Sequence, residues 1–237
     1  MVDMACIFED GNKVVSMARD VEKQADTISD DDIHATSLMV LGSVLDDYGD
    51  RREALRHLER AKQMTITSDS LRSDVYYWIA SVHYDEKRLP EALDAAEEAW
   101  KISESSNSLM NQALYSYLLG RILFSANRDT EAWKFMEISL TKNLELGDRH
   151  ESAGSLEYMG YGYLRRGDYL KAYGAYEAAA DSYLGTIDEE PDGTTCKDNM
   201  AKIKDMLKNP DLNIGFERSR HDNDYPSLFY PSAAASV

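Results

Sequence analysis

Three glycines offer the first candidate chemistry in this chain. Gly160, Gly162 and Gly167 sit in MGYGYLRRGDYLKAYGAYEAA, residues 159–179, and Gly162-x4-Gly167 has the glycine spacing of a phosphate-cradling loop. Such a loop needs a lysine for the β- and γ-phosphates and a hydroxyl for Mg²⁺. Asp168-Tyr169 stand there instead. Gly160-x-Gly162 also lacks the third glycine and the preceding β-branched strand of a dinucleotide turn. Among acids, Asp30-Asp31-Asp32 fall where a helix should begin and read as an N-cap with favourable dipole charge. Asp46, Asp47 and Asp50 fall at a helix end and turn, where solvation suffices to explain them. His34, His57, His83, His150 and His221 have no paired spacing, and Cys6 and Cys196 lie near opposite ends. No HExxH, CxxC, GxSxG or calcium-loop pattern occurs. The expectation is a protein that is not an enzyme, with no catalytic residue, metal site or cofactor.

The same glycines make better sense as packing residues, once four segments are aligned. These are LMVLGSVLDDYGDRREALRHLERA from Leu38, YYWIASVHYDEKRLPEALDAAEEA from Tyr76, SYLLGRILFSANRDTEAWKFMEIS from Ser116 and LEYMGYGYLRRGDYLKAYGAYEAA from Leu156. A large residue then a small one recur as Leu41-Gly42, Ile79-Ala80, Leu119-Gly120 and Met159-Gly160. Twelve residues after each small one come Ala54, Ala92, Ala132 and Ala172. Leu58, Ala96, Met136 and Tyr176 follow four later, and Ala61, Ala99, Ser139 and Ala179 three beyond those. Each unit therefore reads as two helices joined by a turn, at Gly49-Asp50, Lys87-Arg88, Asn127-Arg128 or Gly167-Asp168. Pro90 suits the first turn of its second helix. Glycine costs a helix about 1 kcal/mol against alanine, which is tolerable where it lets two backbones approach.

This pattern resembles the tetratricopeptide repeat, most closely at Leu156, Met159, Gly160, Tyr163, Gly167, Ala172, Tyr176 and Ala179. The alanines lie 38, 40 and 40 residues apart, beyond the usual period of about 34, and the closing proline is absent. The resemblance implies an all-α, right-handed superhelical solenoid of antiparallel helix hairpins. Four repeats are expected at about 35–72, 73–112, 113–152 and 153–184. Ahead of them, residues 1–34 read as a degenerate repeat or capping helix. Its amphipathic stretch, 14–28, begins after Gly11-Asn12. Residues 185–208 read as an acidic linker and a capping helix showing Met200, Ile203, Met206 and Leu207 at helical spacing. Residues 209–237 carry Ile214, Phe216, Tyr225, Phe229 and Tyr230 between prolines, and read as an extended or disordered tail.

Charge narrows the partner. Lys+Arg 26 against Asp+Glu 43 gives −17, with 12 acids and 3 bases in the first fifty residues. Such a field repels phosphate backbones and anionic bilayers, so neither nucleic acid nor membrane is expected. Two cysteines and an N-terminus with acid before any base and no apolar run favour a cytoplasmic setting.

Stacked hairpins form a groove walled by their first helices. The resemblance places Met39, Ser43, Tyr77, Trp78, Ser81, Tyr84, Tyr117, Arg121, Phe124, Glu157, Tyr158, Tyr161 and Arg165 there. Tyr77, Tyr117 and Tyr161 read as one equivalent tyrosine per repeat, and Arg121 as a partner for an acidic group. No repeat has the Lys and Asn of a carboxylate clamp. The expected function is non-catalytic binding of a peptide or helical segment of another protein. The alternative is a regulatory or sensor protein switched by its own tail or by a small ligand. A phosphatase-like enzyme on a repeat scaffold ranks behind both.

Overall fold

A computed structural model describes residues 4–48, 50–106, 108–184 and 193–208. They form ten helices and no strand: α1 (Met4–Ala25), α2 (Asp31–Asp47), α3 (Arg51–Lys62), α4 (Asp69–Asp85) and α5 (Leu89–Glu104), then α6 (Leu109–Ser125), α7 (Asp129–Leu146), α8 (Arg149–Arg165), α9 (Tyr169–Tyr183) and α10 (Thr194–Lys208). None is long and apolar enough to cross a membrane.

The repeat governs the hairpins. The first helices α2, α4, α6 and α8 have 17 residues each and start 38, 40 and 40 residues apart. Each starts on a side-chain cap, with Asp30, Ser68, Ser108 and Asp148 accepting from the N–H three residues on. Their ends share one device. Asp50, Arg88, Arg128 and Asp168 each donate their N–H to the carbonyl five residues back, that of Leu45, His83, Leu123 or Tyr163. Lys87, Asn127 and Gly167 carry the positive φ this turn requires, at 61°, 61° and 73°.

Within a hairpin the small residue receives its partner as the spacing predicts. A Cβ on Gly42 would lie 2.6 Å from Leu58 Cγ, one on Gly120 2.9 Å from Met136 Cε, and one on Gly160 3.1 Å from the Tyr176 ring. Ala80 is fully buried in the same role. Residues 159–179 are thus helix, turn and helix, and Gly162 lies within α8. There its missing side chain leaves room for Phe124, whose Cζ would approach a Cβ to 2.8 Å.

Across hairpins the inner row is tight. Successive first helices, α2 and α4, α4 and α6, and α6 and α8, approach one another more closely than successive second helices do, and the second helices are bridged by side chains such as Trp100 against Phe135. Closer spacing along the first helices is the arrangement expected of the inner row of a curved solenoid.

The flanks depart from expectation in two ways. Helix α1 runs unbroken through Gly11-Asn12 and stops at Ala25, before the anticipated end at residue 28. It packs on α2 and α3 through Ala18 and Ala25 and through Arg19–Glu53 and Glu22–Arg60 ion pairs, both 2.8 Å. The unbroken helix follows from i→i−4 hydrogen bonding that glycine weakens but does not forbid. At the other end α10 covers α9 with Cys196, Asn199 and Ile203, while Leu207 is exposed. The acid-rich stretch 185–192 and the tail 209–237 lie outside the described residues.

Candidate partner-binding surface

Helix α6 sits mid-row and places Arg121 one residue after the small Gly120. Around its guanidinium three tyrosines gather from three first helices: Tyr84 of α4 at 5.1 Å, Tyr117 one turn earlier on α6 at 5.5 Å, and Tyr158 of α8 at 5.4 Å. Nε donates to the Tyr158 hydroxyl at 2.9 Å. Tyr117 meets Tyr158 edge-on at 5.6 Å, and its hydroxyl comes within 3.2 Å of where a Cβ on Gly154 would lie. A cation set among ring faces is held in place and remains polar. Arg121, expected to pair with an acidic group, is thus positioned by Tyr84, Tyr117 and Tyr158.

One repeat earlier, Tyr77 packs edge-on against Trp78 at 5.3 Å and tilts over Tyr115 at 5.4 Å. The Tyr115 hydroxyl donates to Asp74 and lies 3.2 Å from Ser73 Oγ. Burial pushes the Tyr77 and Tyr115 phenols above their ordinary range and raises the Asp74 acid against the pull of that hydrogen bond. These hydroxyls stay protonated, and that of Tyr115 acts as a donor. Tyr84 reaches Ser125 Oγ at 3.0 Å.

The anticipated groove residues divide by burial. Met39, Tyr77, Trp78, Ser81, Tyr117, Arg121 and Tyr161 are half-buried, and Arg165 is exposed. Ser43, Tyr84, Phe124, Glu157 and Tyr158 are buried and lie inside the wall. Phe124 is the clearest correction, filling the notch of Gly162 and meeting Trp133 edge-on at 6.1 Å. Ser43 bonds the Val40 carbonyl of its own helix at 2.9 Å. Glu157 lies 3.4 Å from the Tyr183 hydroxyl of α9. Arg165 is a tie between repeats. It donates to the Phe124 carbonyl at 2.6 Å and to Asn127, and it pairs with Asp129 at 3.3 Å.

The three-tyrosine equivalence also fails. Tyr77 and Tyr117 stand three residues before their small residue, and Glu157 holds that place in the last repeat. Tyr161 follows its small residue, as Ser43, Ser81 and Arg121 do.

Among the acids, Asp46, Asp31 and Asp32 take roles in the structure other than those expected from the sequence. Asp46 is neither at a solvated helix end nor idle: it is 7% exposed, with Oδ1 3.3 Å from Arg51 Nε. Arg51 also reaches Asp85 at 3.4 Å. Asp31 accepts from the Thr65 N–H at 3.2 Å and Asp32 from the Thr67 N–H at 2.8 Å, so they fasten α2 to the α3–α4 loop. The repeat register could have found Asp46, because it occupies the place of Tyr84, Phe124 and Leu164. Among the described residues no group of three or more His, Cys, Asp or Glu is arranged to hold a metal ion.

Comparison with known proteins agrees with this architecture. Residues 39–107 match the family model of the tetratricopeptide repeat. No curated protein matches the chain at significance. Among solved structures, BtubC (BKLC) from P. vanneervenii is 16% identical with a TM-score of 0.59, over 89% of this chain and 94% of that one. Kinesin light chain TPR-like repeats from Podosopora anserina are 15% identical with a TM-score of 0.63, over 76% and 90%. The Rap protein complexed with Competence and Sporulation Factor is 14% identical with a TM-score of 0.62, over 80% of this chain and 56% of that one. Residues 39–107 thus match the tetratricopeptide repeat, and the described residues share an all-α, tetratricopeptide-like solenoid fold with these solved structures.

Proposed function

We propose that this chain is a non-catalytic interaction module that binds a peptide or helical segment of another protein along the concave wall. The observation that carries the reading is the half-buried set Tyr77, Trp78, Tyr117 and Arg121, presented side by side by α4 and α6 in the middle of the inner row. Partly exposed aromatics held rigid by their neighbours lose little entropy when a partner covers them, and a fixed guanidinium adds direction. The Rap structure supports the reading, since a protein of similar fold was crystallised with a partner. A cytoplasmic setting, with no nucleic acid or membrane as partner, fits the strongly acidic composition.

The test replaces Tyr117 and Arg121 together with Ala and measures capture of partners from native lysate. Helicity and thermal midpoint are followed alongside. Capture should fall at least about tenfold, as for a typical hot-spot pair. Tyr161→Ala, which leaves the Arg121 cluster intact, should weaken capture less. Undiminished capture by the folded double variant rejects this surface.

A further inference from the structure

In the repeat register Asp46, Tyr84, Phe124 and Leu164 share one position, four residues after the small residue. Three repeats put an aromatic or aliphatic side chain there, and the first puts a carboxylate that is 7% exposed. A buried carboxylate must be paired, hydrogen-bonded or protonated. Asp46 is poorly supplied with the first two. Its Oδ1 lies 3.3 Å from Arg51 Nε, and neither atom finds hydrogen-bond geometry. Arg51 meanwhile gives its NH2 to Asp85 at 3.4 Å. Asp47 adds another negative charge from α2, and Lys87 and Arg121 stand on the far side, toward Asp85. Two carboxylates from α2 and α4 therefore divide one guanidinium from α3.

We propose that Asp46 is a proton latch at the junction of the first and second repeats: protonated, it seats the α2–α3 hairpin against α4, and ionised, it loosens that contact. Burial, and then the charge of Asp85, push the Asp46 acid up to about 7, with Arg51 pulling the other way. The sign follows from linkage. The unfolded chain releases this proton near pH 4, at an ordinary carboxylate value, while the folded chain keeps it to about pH 7. Stability from this group is therefore full in acid, drains away as pH rises across that window, and is level above it. His57 and His83 are held below their ordinary values by burial, so they act in the opposite sense as pH falls. This latch does not depend on what the groove binds.

The experiment uses the full chain and Asp46→Asn, with urea unfolding from about pH 4.5 to 8. The histidine contribution is common to both proteins and cancels in the ratio of their unfolding constants. That ratio, wild type over variant, should drop about tenfold for each unit of pH lowered below about 7. Carbon-13 titration of the Asp46 carboxyl supplies a direct midpoint, expected near 7 and lowered by Asp85→Asn. Should Asp46→Asn fail to fold, Asp46→Leu, matching Leu164, serves as the reference. A ratio that ignores pH, or a carboxyl midpoint near 4, overturns the latch.

Discussion

The first and third repeats share a backbone register, and the position four residues after the small residue holds a carboxylate in one and an aromatic ring in the other. Beside that ring Arg165 adds an ionic tie to Asp129. At the junction of the first two repeats, Asp46 and Asp85 divide Arg51, and α1 is pinned to α3 by Arg19–Glu53 and Glu22–Arg60. At the junction of the last two, Phe124 enters the Gly162 notch, Trp133 lies 4.4 Å from Tyr163, and Tyr117 meets Tyr158. Aromatic packing gains from every atom brought out of water. Buried ion pairs must first offset the desolvation of their charges, and exposed ones are screened. With Asp46 acting as the proposed latch, the same hairpin geometry would give an aromatic junction largely indifferent to pH and salt and an N-terminal end that responds to both.

The largest effect that would break this contrast is at the aromatic junction. Phe124→Ala should cost about 3–5 kcal/mol, because its ring is 1% exposed and the notch of Gly162 would be left empty. Urea unfolding would read it, and a loss under about 1 kcal/mol would mean the junction does not hold the repeats together. A smaller effect separates two glycines in equivalent places. Gly42→Ala brings a Cβ to 2.6 Å from the branch carbon of Leu58 and 3.2 Å from the Ala54 carbonyl, and it should cost about 1–2 kcal/mol. Gly120→Ala meets the unbranched Met136 side chain, at 2.9 Å from Cε and 3.2 Å from Cγ, and no backbone atom as near, so the roughly 1 kcal/mol helix gain should bring it closer to neutral than Gly42→Ala. Equal midpoints for the two variants would deny that the first hairpin is the less forgiving. The smallest effect is ionic. In about 1 M salt the screening length shrinks to roughly 3 Å, and amide exchange along residues 13–25 should quicken about two- to fivefold. Exchange in α7 and α8 should stay put, and a uniform change along the chain would erase the distinction between the ends.

The repeat was legible because it is written in residue size at fixed spacing. Leu41-Gly42 with Leu58, and Met159-Gly160 with Tyr176, can be paired without coordinates, since a small residue on one helix needs a large one opposite. The caps were legible for a similar reason, as Asp30 and Pro90 act on their own helix. The wall itself was read less well. Phe124 and Arg121 belong to the same helix at groove spacing, yet one is interior and the other faces the wall. Which way each falls depends on Gly162 and Tyr158 of the next repeat, about forty residues away.

By itself the sequence determined the helical hairpins and the small-to-large pairing inside them, because those follow from periods and sizes repeated within a few dozen residues. Only the tertiary structure decided which inward side chains remain open, that three tyrosines from three helices surround Arg121, and that Asp46 shares Arg51 with Asp85. Those outcomes depend on the spacing between successive hairpins, and distances of 3–5 Å between charges and rings are set by how the repeats stack.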